Sequence, residues 1–353
     1  MRKDNKLSSR GLALVQAGSV KLVATPAALS STRRHAVSGG TSQERQFDQN
    51  LDSMATDLNL DRPGGGHKLS PSPVVLEHEL SELRLLLESQ AGVLLNAPTE
   101  FLMAGLSRYM ESRRLASIPD LLGRVQTSDA ECEALLEHLL EGETAFFRHP
   151  AAFAAFENHI LPELHMRKAG DSSASLRLWS AGCSTGEEAY SIAMSVCERV
   201  NSNGDRWSIH ILASDIRQAA LAMAERGLYP ELALAGVPRR LVQWYFARVG
   251  HHVLVKPRLR NLVTFTQCNL RRAIHLGRFD CIFCMDVLPH FSAAQRLALV
   301  QRLHLYLEPG GYLLLGQGEK LPAIDVNFQP QACDQYTLYR KTLAAAARVG
   351  KSF

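Results

Sequence analysis

The sequence predicts an α/β protein: a doubly wound, mostly parallel sheet, preceded by a helical domain and interrupted by a small antiparallel β insert. Three observations carry that prediction. Apolar residues recur at three- and four-residue spacing over 73–143, short apolar strands alternate with helical stretches over 144–345, and a valine-rich segment around Pro257 breaks the alternation.

Residues 1–72 lack sustained periodicity and end in Arg62-Pro63-Gly64-Gly65-Gly66 and Ser70-Pro71-Ser72-Pro73, the pattern of a disordered leader and linker. Their basic, acid-poor start also fits an organelle transit peptide or an over-long start codon assignment. From 73 to 143, Leu76, Leu80, Leu83 and Leu87, then Phe101, Leu102, Leu106, Tyr109 and Met110, and later Leu135, Leu136, Leu139 and Leu140 mark a small helical domain. Over 144–345 strands are expected at 176–181, 208–214, 262–267, 279–284, 311–316 and 335–340, with helices opening near Glu187, Gln218 and Ala293. The insert, at about 243–265, alternates Val253, Val255, Val263 and Phe265 and reads as one hairpin. Residues 346–353 form a tail.

With 353 residues, 46% hydrophobic and 21% charged, the chain can bury a full core. No apolar run reaches the roughly 18 residues of a membrane helix, and a cytoplasmic protein without membrane insertion is expected. The seven cysteines are scattered, which fits reduced thiols, and the Cys281/Cys284 pair has no second pair at zinc spacing, so no metal is expected. Net charge is +4, but no acid lies between Glu231 and Asp280 while nine basic residues do. That interval suggests an anionic partner, or a solvated face whose counter-charges come from elsewhere in the fold.

The stretch 178–194, L-W-S-A-G-C-S-T-G-E-E-A-Y-S-I-A-M, runs from a strand through small residues into a helix opened by Glu187 and Glu188. A dinucleotide turn needs G-x-G-x-x-G, yet the register reads Ala181, Cys183, Gly186. Two carboxylates at a helix N-terminus oppose a phosphate there. S-adenosylmethionine (SAM) carries a sulfonium, an ammonium and a ribose diol, and suits carboxylates better. Asp215 ends the next strand where it can accept from ribose hydroxyls, and Asn269 ends the third where it can meet an adenine edge; both residues could instead only cap helices.

Beyond these, T-A-F-F-R (144–148), W-S-A-G-C-S-T-G-E-E-A-Y-S-I-A (179–193), A-S-D-I (213–216), G-L-Y (227–229), C-N-L (268–270), F-D-x-I-F-C (279–284) and L-E-P-G-G-Y-L-L-L-G (307–316) occur in order. In this run the sequence resembles the chemotaxis-type protein-glutamate O-methyltransferases, the CheR family, over about residues 74–341. The resemblance implies a Rossmann-like SAM-dependent methyltransferase domain behind a helical domain. It also implies methyl transfer from SAM to glutamate carboxylates of a chemoreceptor cytoplasmic domain, giving methyl esters and S-adenosylhomocysteine (SAH). By motif position it assigns cofactor contacts to Thr144, Arg148, Ala181, Glu187, Asp215, Ile216, Asn269 and Leu270. Arg148 is the leading catalytic candidate, steering the substrate carboxylate or pairing with the cofactor's own.

Where the family shows Arg-Asn and then a tyrosine, this chain has Met285, Asp286 and His290. Asp286 can still accept a hydrogen bond from the cofactor, and His290 can stack and hydrogen-bond in the tyrosine's place. Arg108, Arg113 and Arg114 resemble the family's receptor-facing basic helix, and the short insert suggests a monomer that needs no C-terminal peptide tether. A SAM- or SAH-binding regulatory homologue with weakened turnover is the main alternative. A nucleic-acid or small-molecule methyltransferase is the lesser one, since no RNA-binding motif is present and no nucleic-acid partner is expected.

Overall fold

A computed structural model describes residues 77–140, 144–168, 175–200, 207–273, 275–322 and 327–342, all within one compact unit. The expected leader (1–72) and tail (346–353) lie outside the described residues.

Four helices come first: α1 (Glu77–Ala91), α2 (Thr99–Arg113), α3 (Ile118–Thr127) and α4 (Asp129–Leu139). Their leucines at helical spacing, with Tyr109, Met110 and Val125, close one apolar core. Ser117 and Ser128 stop the chain between helices, each side-chain oxygen accepting from the backbone N–H three residues on. Beyond them, α5 (Pro150–Ala155) runs through one π turn into α6 (Leu161–Lys168).

The remaining elements are β1 (Ser175–Ala181), α7 (Glu187–Val200), β2 (Ser208–Asp215), α8 (Gln218–Arg226), β3 (Leu228–Pro230), α9 (Arg239–Tyr245), β4 (Phe246–Val249), β5 (His252–Val255), α10 (Pro257–Arg260), β6 (Val263–Gln267), β7 (Phe279–Cys284), α11 (Ala293–Tyr306), β8 (Leu307–Leu315), β9 (Phe328–Cys333) and β10 (Tyr336–Lys341). The seven-stranded sheet has the order β6-β2-β1-β7-β8-β10-β9. Its first five strands are parallel, and β10 is antiparallel to both neighbours. A dinucleotide-binding sheet places parallel strands throughout. The reversed strand between β8 and β9 therefore departs from that pattern.

Alternation along β1 covers both faces: Leu178 packs with Tyr190, Met194 and Phe283, whereas Trp179 packs with Ile282, Leu313 and the inner face of α11. Trp179 also donates from Nε1 to Ser214 Oγ at 2.9 Å, tying β1 to β2.

The antiparallel insert differs in pairing from the sequence reading. Val253–Val255 pair with β3 and β4, in the order β3-β5-β4, and Val263–Phe265 pair with β2 in the main sheet. The cause is Pro257, which opens α10 and turns the chain away before a return strand can form. The basic interval finds its acids elsewhere: Arg240 pairs with Glu198, Arg248 with Glu231, Arg272 with Glu133 and Arg278 with Glu308. No described helix is long and apolar enough to cross a membrane.

Candidate active site

The sheet order reverses between β1 and β7, so the loops leaving these strands part and open a cleft at their carboxyl ends. This cleft, about 1080 Å³ including its open mouth, lies beside Thr144, Arg148, Asp215, Ile216, Asn269, Leu270, Asp286 and His290. Residues spread over more than 140 positions of sequence thus meet at one place.

Beneath the floor, the β1–α7 turn is held by its small residues. Gly182 and Gly186 take φ of +91° and +98°, and a Cβ on Gly186 would come 2.7 Å from Ala224 Cβ. Ser184, at φ +51°, donates its backbone N–H to Asp215 Oδ2 at 2.8 Å. Asp215 Oδ1 accepts from Arg217 N at 2.9 Å and faces Arg217 Nε at 3.4 Å, while Arg217 Nη2 donates to Ser184 Oγ at 2.7 Å. The guanidinium therefore spans from the tip of β2 to the β1 turn.

Of the paired glutamates, Glu188 lines the cleft and Glu187 does not. Successive helical residues point about 100° apart, so only one of two neighbours can face a given wall. Glu187 is buried, its carboxylate accepting from Thr185 Oγ1 at 2.7 Å and hydrogen-bonding Thr144, which lines the cleft. Glu188 accepts from Ser180 Oγ at 2.6 Å, and burial pushes its carboxyl up to about 7. Ala181 is buried at the end of β1 and does not line the cleft.

Across the opening, Asp286 takes φ +60° and receives His149 Nε2 at 2.7 Å and Arg148 Nη1 at 3.3 Å on the same oxygen. The His149 hydrogen bond holds Asp286 below the usual carboxylate range. Glu319 accepts from the backbone N–H of Asp286 at 3.0 Å and from that of Gly316, and burial raises its carboxyl. His290 sits in a short turn (Leu288–His290), where burial depresses its imidazole while Asp286 and Asp215 pull the other way. Met285 is buried in the wall.

The helical domain closes the third side with Val93, Leu136 and Leu140. Leu94 N donates to His290 O and Ser292 N to Gly92 O, both at 2.8 Å. Gln267 Nε2 donates to Glu137 Oε1 at 3.1 Å, and Asn269 Nδ2 to Glu133 Oε1 at 2.7 Å. Arg108, Arg113 and Arg114 lie exposed at the far end of α2 and do not line the cleft; Arg113 faces Glu131 at 3.8 Å and covers the Tyr109 ring.

The sequence pattern described as CheR methyltransferase, SAM binding domain, matches residues 142–337, more than half of the chain. The chain belongs to this CheR methyltransferase family. Among CheR relatives, "Chemotaxis protein methyltransferase 1" of Pseudomonas aeruginosa is 33% identical over 264 residues, covering 73% of this chain and 95% of its own length. "Chemotaxis protein methyltransferase Cher2" of Pseudomonas putida is 33% identical over 270 residues, covering 74% and 97%. The solved glycopeptide N-methyltransferase MtfA with SAH is 17% identical over 58% of this chain and 62% of its own, at a TM-score of 0.27, a likeness that decides nothing.

The cleft of this CheR-family chain has the chemistry for a cationic nucleoside. Carboxylates stand at the tip of β2 and at the helix mouth, where a phosphate would be opposed, and Ile216, Leu270, Leu136 and Leu140 supply apolar walls for a flat base. Among the described residues no group of three or more His, Cys, Asp or Glu is placed to hold a metal ion. His149 and Arg217 line the cleft although nothing in the sequence reading marked them. His149 follows the T-A-F-F-R run directly, and only the contact with Asp286, 137 residues away, gives it significance.

Proposed function

We propose that this chain uses SAM to methylate the side-chain carboxylates of glutamates on a chemoreceptor cytoplasmic domain, forming methyl esters. The observation that carries the reading is the carboxylate-lined cleft at the β1/β7 switch point with a guanidinium, Arg148, beside its charged opening. The names of the CheR relatives as chemotaxis protein methyltransferases support it.

When bound, SAM supplies an activated methyl group on a sulfonium. In this reading Asp215 takes the ribose hydroxyls, Thr144, Ile216, Asn269 and Leu270 surround the nucleoside, and Asp286 faces the amino-acid end. Glu187 reaches the cofactor side through Thr144, and Ala181 shapes the turn at the end of β1. A substrate glutamate is already ionised near neutral pH and needs no general base. What remains is alignment and exclusion of water, and Arg148 serves it by attracting the entering carboxylate while Asp286 and His149 limit where its guanidinium can sit. His290, kept largely neutral by burial, packs beside the entry without repelling a cation.

The test is labelled SAM with a receptor cytoplasmic fragment: base-labile methyl incorporation on glutamates is expected, and bound but never transferred methyl would refute the reading. Two observations favour a second reading, a SAM- or SAH-binding regulator: Arg148 is engaged by Asp286, and Met285 brings no charge. On that reading the double change Met285→Arg, His290→Tyr creates turnover that the natural chain lacks.

A further inference from the structure

Asn269 reaches the cleft between Cys268 and Leu270, with Ile216, Leu136 and Leu140 as its apolar neighbours. Its amide is held at both ends. Nδ2 donates to Glu133 Oε1 at 2.7 Å, and Oδ1 accepts from the backbone N–H of Arg271 at 3.0 Å. Arg272 Nη2 lies 2.9 Å from the same oxygen, on a partly exposed surface.

A side-chain amide offers two N–H donors and two acceptor lone pairs on oxygen. One of each is used here, which leaves one donor and one acceptor on the same amide. That is the pair with which an amide reads adenine, donating to a ring nitrogen and accepting from the exocyclic amine. A flipped amide would set Oδ1 against the Glu133 carboxylate and an N–H against the Arg271 N–H, leaving both ends unsatisfied. The orientation is therefore decided from outside the sheet.

We infer that Glu133 of the helical domain is a positioning residue that locks the Asn269 amide in the adenine-reading orientation, so that the helical domain sets base specificity. The inference rests on the proposed SAM site. On the Watson–Crick edge hypoxanthine presents a carbonyl in place of the exocyclic amine and an N–H in place of the N1 acceptor, and a locked amide cannot turn to meet that reversed pair. A free amide can. Glu133 thus contributes discrimination between bases more than affinity for either.

The experiment is calorimetric titration of the full chain with SAH and with its inosine counterpart, S-inosylhomocysteine. The natural protein is expected to prefer SAH by about 10-fold or more. Glu133→Ala should bring that ratio close to one, Glu133→Gln, which retains the acceptor oxygen, should restore it, and Arg272→Gln, which removes only the other partner of Glu133, should leave it unchanged. A ratio preserved in folded Glu133→Ala overturns the inference, as does equal binding of both compounds by the natural protein, while the SAM site itself stands. Failure to bind SAH at all removes the proposed site and the inference with it. If Glu133→Ala does not fold, the Asn269 side-chain amide protons of the natural protein decide by nitrogen-15 NMR: a shift of one of the two on adding SAH supports the lock, and no shift overturns it.

Discussion

The half of the cleft built on β1, β2 and β6 anchors Asp215 and Asn269 partly with backbone N–H groups, whereas the half built on β7 and β8 anchors Asp286 largely with other side chains. In the first, Asp215 accepts the N–H groups of Ser184 and Arg217, and Asn269 accepts that of Arg271. In the second, Arg148 and His149 both bond Asp286, and Arg148 and Asp286 are partly open to solvent. Backbone donors stay fixed while the fold lasts, so the backbone of the first half is preorganised for a ligand although the Arg217 guanidinium over Asp215 must move; side-chain pairs on a partly exposed wall can rearrange around an entering substrate.

The strongest way to break this contrast is at the turn itself. Gly186→Ala, at φ +98° with Ala224 Cβ 2.7 Å from the added carbon, should cost about 2–4 kcal/mol, read as a lowered thermal midpoint. Asp215→Ala should reduce SAH affinity by about 100-fold, since two charge-assisted hydrogen bonds are lost together. A small loss would mean that the nucleoside sits elsewhere.

Glu188 sharpens the comparison through pH. Its folded value of about 7 lies above its ordinary 4.5, so its favourable contribution to stability is full below the ordinary value and is lost as pH rises through about 7. Glu188→Gln should flatten the fall in stability over that window and stabilise the protein above it by about 1–3 kcal/mol. A bound cation favours the ionised form, so the SAM-to-SAH affinity ratio of the natural protein should climb as pH rises through about 7, and stop climbing in the Gln variant.

Arg217 lies across the site that a ribose diol would take on Asp215. Arg217→Gln should raise SAH affinity by about threefold, because a larger fraction of molecules then has that carboxylate available. The smallest effect belongs to the other half. Asp286→Asn should change stability by less than about 1 kcal/mol, because its Arg148 pair is partly open to solvent and an amide oxygen can still bond His149 Nε2.

The two halves also differ in how far the sequence reveals them. Gly182, Ser184 and Asp215 are legible because each answers a local demand: a positive φ, a turn N–H, a strand end. Glu188 is not, because its difference from Glu187 is a matter of helix rotation set by packing. His149 and Glu133 are invisible alone, since their partners lie 137 and 136 residues away. In the fold, β9 escapes notice for a different reason: Phe328–Cys333 is an edge strand without a fully buried residue, and the proline within it argues against a strand. Val263 and Phe265 read both as part of the insert at about 243–265 and as the main strand 262–267, and only the second holds, because the valine alternation continues across Pro257 in sequence but not in space.

The central claim is that the cleft takes a positively charged nucleoside donor in place of a phosphate-bearing one. Calorimetric titration with SAM and, separately, with NAD tests it most directly. One saturable site for SAM, lost in Asp215→Ala, with no heat from NAD, is the expected result; binding of the dinucleotide, or no binding of SAM, contradicts the account.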